Sequence, residues 1–484
     1  MRFSEYFELN KKQNELDFVD VPLDTDIPLF IDPFVLSKRE DLFSIEASQT
    51  VSSFFQEVVN KIRNGDNSLA QKMLAQLKEP NDTHLGLSTD KSQGKGVSGK
   101  QALDLFLALK NSRAVQTGFI KDIQDCELVI PGIGDDKISD VVTNLIKILL
   151  IGYTKDQCDL FGIPTEKVSA GTYWNATERE WTDSFVELPV VNIDGKKSRV
   201  ILVPKSFTRY NMVFNHAKYY NGFVLEYLQR QFIREGSSLV HILKNGSPKV
   251  YKKDLKTLPE YKLTKEFLYR FSNENPQVLD SYRSYMEQIK IEPITDTKIE
   301  EKQNKQNKFD YDVLVSKLKS IDSGIAAASV YHDHIIGVLT AIFSPHLVNP
   351  KKEQPIHEGR KKIDISFNNA AQEGFFFNVS NKGIPSIKVF FECKNLSKDV
   401  KNPELDQLAG RFSPRRGKLG FIVCRSVEDK EKLIKRCRDA ANDDRGVILV
   451  LDDNDIIELI GYKKLSDEGK INDFLHSKID EILL

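Results

Sequence analysis

The residues with the most chemistry in this 484-residue chain are Asp364, Glu392 and Lys394. Lys362 to Phe367 reads KIDISF, so Ile363, Ile365 and Phe367 share one face of a strand while Asp364 and Ser366 share the other. Ile387 to Lys394, IKVFFECK, is a nearly unbroken apolar run of the kind found in a strand buried on both faces. It ends in Glu392 and Lys394 on one face, with Cys393 between them on the other. Charges at the end of such a strand are costly to bury without compensation. A hairpin-like connection would set Asp364, 28 residues upstream, beside Glu392. Two converging carboxylates repel unless a hard divalent cation neutralises them, and Mg2+ suits a site of carboxylates and water. Lys394 would then orient a metal-bound water, help lower its pKa and stabilise the charge that builds on a phosphodiester under attack. The competing reading is an ordinary surface ion pair of Asp364 with Lys394 across adjacent strands.

The elements that must position these residues follow from the hydrophobic periodicity. Ser329 to Phe343 has helical spacing, with His332, Ile335, Ile336, Leu339, Ile342 and Phe343 on one stripe. Strand-like runs follow at Lys362 to Phe367, Phe375 to Val379 and Ile387 to Lys394. Then come a helix at Pro403 to Phe412, a strand at Lys418 to Cys424, a helix at Val427 to Ala441 and a strand at Val447 to Leu451. This order predicts an α/β fold in which helices flank a mixed sheet.

Asp364, followed after a spacer by Glu392-Cys393-Lys394 at the end of an apolar strand, resembles the PD-(D/E)xK signature of restriction-endonuclease-like nucleases. The resemblance covers about a third of the chain, roughly Asp310 to Ile460. It implies a restriction-endonuclease-like fold, a Mg2+ or Mn2+ cofactor and hydrolysis of DNA, with RNA not excluded. By resemblance Asp364 and Glu392 bind the metal, Cys393 lends its main-chain carbonyl and Lys394 assists the nucleophilic water. Many members also carry a Gln near the site on the next helix, and Gln407 matches it in PELDQLAGR, with Arg411 one turn later. Arg360, Lys361, Lys362, Lys398, Arg411, Arg415, Arg416 and Lys418 are the positive surface for a phosphate backbone. One departure concerns the first helix, where members often place a metal-reaching Glu and this chain has YHDHIIGVLTAIF. His332 falls on the sheet-facing stripe and Asp333 on the polar side, so a second metal there is left open.

Composition sets the frame around this site. The chain carries 69 Lys and Arg against 70 Asp and Glu, which at first sight excludes a strongly basic nucleic-acid binder. The balance is uneven, however: Lys351 to Ala440 holds 20 basic against 12 acidic residues, and the last 44 residues hold 5 against 11. Five scattered cysteines with no CxxC pair predict reduced, buried thiols, and the absence of a leader or a long apolar run predicts a cytoplasmic protein. The polar stretch at 291–312 reads as a linker or exposed helix between a nuclease-like domain at 313–484 and a larger mixed α/β region of unknown fold at 1–290. That first region is expected to select the target, oligomerise, or meet a partner protein or phage-derived trigger; it resembles uncharacterised N-terminal regions of bacterial nuclease-type defence proteins, a resemblance that names no activity.

Within residues 1–290 the patterning predicts helices at Ala47 to Arg63, Lys100 to Lys110 and Lys137 to Tyr153, and a strand at Val200 to Pro204. Gly94 to Gln101, GKGVSGKQ, has the spacing of a phosphate-binding loop but Gln101 where a Ser or Thr belongs, and it is discounted. Asp24, Asp26 and Asp32 lie among prolines, and Asp135, Asp136, Ser139 and Asp140 lie at a loop-to-helix boundary where capping accounts for them.

Overall fold

The protein is described here from a computed structural model covering residues 1–86, 98–302, 309–356, 361–396 and 402–484. Gly94 to Val97 of the glycine-rich loop, and Arg360 and Lys398, lie outside the described residues, as do the side chains of Lys361 and Lys362.

The C-terminal region is a five-stranded mixed sheet with helices on both faces. Helix α1 (Ala328–Phe343) leads into β1 (Leu347–Ile356) and β2 (Lys361–Asn369), and helix α2 (Gly374–Asn381) precedes β3 (Lys388–Lys394). Helix α3 (Asn402–Ala409), β4 (Leu419–Cys424), α4 (Lys430–Asn442), β5 (Val447–Asp452), α5 (Asp453–Lys464) and α6 (Glu468–Leu483) complete it. The strands lie in the order β1-β2-β3-β4-β5, with the first two pairings antiparallel and the last two parallel. The mixed α/β architecture expected from the element order is therefore present.

Apolar burial on β3 explains why it is central. Val389, Phe390 and Phe391 are fully buried. Phe391 stacks on Phe421 of β4 at 4.8 Å and faces Phe343 of α1, while Phe390 on the other face meets Phe412. Each such ring contributes about 1.5–3 kcal/mol by leaving water. Helix α1, with the turn before it, is apolar and long enough to cross a membrane by length and composition. Here its apolar surface is used on the sheet, where Ile335, Leu339, Ile342 and Phe343 join one core with β2 to β5.

Several expectations change. Phe375 to Val379 is not a strand but lies in α2, where Asn472 of α6 accepts a hydrogen bond from the Phe375 amide at 2.7 Å and so caps the helix from a distant segment. The single helix expected at Lys137 to Tyr153 is two, Asp135–Leu145 and Lys147–Phe161, broken at Ile146. Val200 to Pro204 is buried but belongs to no strand: its main chain bonds singly to the Pro189 and Asp82 carbonyls, the Thr154 hydroxyl and the Val19 amide, with one isolated bridge between Pro204 and Phe18. Within the polar stretch, Asp296–Lys302 forms a helix that buries Ile299 completely and pairs Asp296 with Lys205 at 2.7 Å, so this part is packed and not an exposed linker. Among the described residues, the first 290 are mostly helical, with short two-stranded ladders.

The N-terminal segment is fastened to the C-terminal sheet. Lys11 donates to the Asp333 carbonyl in α1 at 3.1 Å, and Asp156 pairs with Lys351 of β1 at 2.6 Å. One oxygen of the buried Asp17 accepts from both the Tyr153 hydroxyl at 2.9 Å and the Asn349 amide of β1 at 3.0 Å. Burial raises the Asp17 pKa, and these donors oppose the shift. Asp17→Ala would leave two donors unsatisfied at about 1–3 kcal/mol each, so urea unfolding should show a loss of about 2–6 kcal/mol. Asp17→Asn keeps a single oxygen able to accept both bonds and should lose less than half as much; equal losses would show that the hydrogen bonds do not account for the effect.

Candidate active site at the end of two central strands

The register of β2 and β3 builds the site. Their rungs run from Asn368–Lys388 to Ile365–Phe391 and stop there, while each strand continues to pair with its outer neighbour. One step beyond the last rung the same register sets Asp364 opposite Glu392. The Cys393 amide, without a rung to β2, donates instead to the Asp364 carboxylate at 3.2 Å. The Cys393 carbonyl accepts from the His332 ring of α1 at 2.9 Å.

Glu392 is fully buried, and both of its oxygens are engaged. Lys394 reaches one at 2.8 Å, and Arg411 donates to the other. Arg411 is itself only 2% exposed, and its own pKa is lowered by burial, with the Asp364 carboxylate opposing. Asp364 is half-buried and Lys394 partly exposed, so the cluster opens toward solvent on that side. Burial, together with the nearby Asp364 carboxylate, pushes the Cys393 thiol well above its usual range, which leaves it no role as a thiolate. All five cysteines are free and buried.

Two glycines let α3 and its turn close over Glu392. A Cβ on Gly420 of β4 would meet the Phe412 ring at 2.7 Å, so the bare strand is what lets Phe412 settle and Arg411 point inward. Gly417 has φ +147°, and a Cβ there would lie 2.3 Å from the Lys388 carbonyl, which fixes the turn between Phe412 and β4 against β3.

The structure thus gathers Asp364, Glu392, Cys393 and Lys394 into one place. It departs from expectation over the basic residues. Arg411 is not a surface contact for phosphate, because its guanidinium is consumed by Glu392. Arg416 donates to the Arg411 carbonyl at 3.1 Å, and Lys418 pairs with Asp444 at 2.8 Å. Arg415 is exposed, and so is Gln407, one turn before Arg411. The signal for Arg411 was present in its i, i+4 spacing from Gln407; what the spacing could not show is that the chain buries it. His332 falls on the sheet-facing stripe as expected, and its bond to the site's main chain was not anticipated. Asp333 is exposed and pairs with Lys352 at 2.7 Å.

Two carboxylates and a main-chain carbonyl are donors that a hard divalent cation takes. They fit such an ion through Asp364 and the Cys393 carbonyl, provided that Glu392 exchanges one of its cationic partners. Among the described residues no group of three or more His, Cys, Asp or Glu side chains is placed to hold a metal, so the main-chain carbonyl is needed to complete the set.

The acidic residues of the N-terminal region divide by role. Asp32 caps the helix Pro33–Lys38 and binds the Val213 amide at 2.7 Å. Asp135 accepts from the Met212 amide and Ser139 from the Ile31 amide, so these two tie strands and loops together and do not cap their own helix. Asp26, Glu79, Asp136 and Asp140 lie close enough to repel. Burial, reinforced by Asp136, Glu79 and Asp26, raises Asp140 to about 8, and burial with Glu79 and Asp136 raises Asp26 to about 6. The folded chain therefore keeps protons that the unfolded chain releases above about pH 4, and stability falls as pH rises from there to about 8. Asp140→Asn should flatten that decline in denaturation measured between pH 5 and pH 8.5; an unchanged slope would contradict the assignment. A family model described as a domain of unknown function (DUF8370) matches residues 8–215, which hold this acidic group and end before the sheet. No curated protein and no solved structure matches the chain.

Proposed function

We propose that the C-terminal region is a metal-dependent nuclease of the PD-(D/E)xK, restriction-endonuclease-like type, hydrolysing phosphodiester bonds of DNA with Mg2+ or Mn2+. The observation that carries this reading is the convergence of Asp364, Glu392 and Lys394 where the rungs between β2 and β3 end. Asp364, Glu392 and the Cys393 carbonyl would hold the ion. When bound, it supplies a Lewis acid for the phosphate and lowers the pKa of a coordinated water. The Lys394 ammonium, beside Glu392, orients the attacking water and offsets charge on the phosphorus oxygens. Arg411, from the other side, holds the Glu392 carboxylate in place while no cation competes for it. The N-terminal region would select the target or respond to a partner or phage-derived trigger, in a cytoplasmic restriction or antiphage system.

A second reading is a nucleic-acid-binding or scaffold protein that keeps this architecture without catalysis. It is favoured by the occupation of both Glu392 oxygens by Lys394 and Arg411, which neutralises the carboxylate internally. Plasmid incubated with the purified chain separates the two. Cleavage in Mg2+, abolished by chelator and reduced at least about a hundredfold by Asp364→Ala, Glu392→Gln or Lys394→Ala in folded variants, is the expected result. Binding without cleavage in either metal, or full cleavage by the folded variants, would overturn the nuclease reading.

A further inference from the structure

We infer that His332 is a positioning residue for the Cys393 carbonyl, an inference that rests on the nuclease reading of this site. A carbonyl oxygen can only accept, so the 2.9 Å contact makes His332 Nε2 the protonated nitrogen of the ring. The contact replaces something the sheet does not supply. Because the rungs between β2 and β3 end at Ile365–Phe391, no rung between these strands orients the Cys393 peptide. The Cys393 N–H is held by Asp364 and the Cys393 carbonyl by His332, so both main-chain groups of this residue are fixed by side chains, one of them a candidate metal ligand.

The turn that carries His332 is itself held on several sides. Tyr331, fully buried, donates to Asp453 at 3.0 Å, and the His334 ring meets the Leu314 carbonyl at 2.9 Å. The Asp333 side chain is held by Lys352, and its carbonyl by Lys11 from the N-terminal segment. A ring on so fixed a turn has little freedom to do anything other than keep the carbonyl pointed in one direction. The oxygen has two lone pairs; His332 takes one and leaves the second for a cation. A donor that fixes a metal-ligating oxygen is expected to matter for metal affinity more than for the rate at saturating metal, and loss of such a partner typically costs about 10–100-fold.

The test uses the full chain with His332→Ala and His332→Gln. Mn2+ binding is measured by calorimetry without nucleic acid, and plasmid cleavage is followed across a Mg2+ titration, with melting temperatures recorded for both variants. The expected result is that alanine weakens Mn2+ binding and raises the half-saturating Mg2+ concentration about tenfold or more, with a smaller fall in the saturated rate. Glutamine, whose amide can donate from a similar reach, recovers most of both. An alanine variant with wild-type Mn2+ affinity overturns the inference, as does a folded glutamine variant as impaired as alanine. A wild-type chain that cleaves while its His332 variants respond to metal as it does overturns the positioning role alone. A wild-type chain that binds no Mn2+ and cuts nothing overturns the nuclease reading beneath it.

Discussion

A carboxylate with no exposure to water sits at the end of the central strand, and much of the C-terminal region is arranged around pairing it. Glu392 would be expensive to bury alone, and two cations answer it. Arg411 arrives from the turn after α3, which can approach β4 because Gly420 has no side chain and which is pinned to β3 through Gly417. Lys394 comes from the same strand two residues on. Removing either cation leaves a buried charge underpaired, so the pairings constrain one another: the turn, the glycines and the Phe412 ring all serve the contact at Glu392.

The same place is where the ladder between β2 and β3 ends, although each strand goes on pairing with its outer neighbour. Past Ile365 and Phe391 the strands β2 and β3 no longer bond to each other, and Asp364 and His332 take over the main-chain groups of Cys393. Side chains that replace a rung can be exchanged for a ligand more easily than a rung can, which is how a buried sheet presents polar groups to solvent without unfolding. The N-terminal segment reaches this arrangement through α1, since Lys11 bonds to Asp333 and Asp17 to the first residues of β1.

Sequence patterning carried a good part of this and failed for identifiable reasons. The β3 strand was legible because a long apolar run ending in charges has few other uses, and β4 and β5 were legible for the same reason. Phe375 to Val379 misleads because four apolar residues around Asn378 fit a strand or a helix equally, and the deciding cap, Asn472, lies almost a hundred residues away. Strand β1 was not assigned because it is polar and contains Pro350 and Pro355; an edge strand tolerates both. Arg411 reads as a surface cation by composition, and only the packing around Gly420 shows that it is internal. Helices α5 and α6 were hidden within an acidic tail, although Asp452 and Asp467 cap them in the usual way. The polar stretch at 291–312 reads as a linker or exposed helix because its one large buried apolar residue in the helix Asp296–Lys302, Ile299, is too small a signal against so polar a composition.

Asp364, Glu392 and the Cys393 carbonyl either form a metal centre or they do not, and the most direct measurement is anomalous scattering from crystals of the wild-type chain grown with Mn2+. A peak between the Asp364 carboxylate and the Cys393 carbonyl, with Glu392 turned from Arg411 or Lys394 toward it, is the predicted result. Crystals that show Mn2+ elsewhere or not at all, with Glu392 still held by both cations, would contradict it.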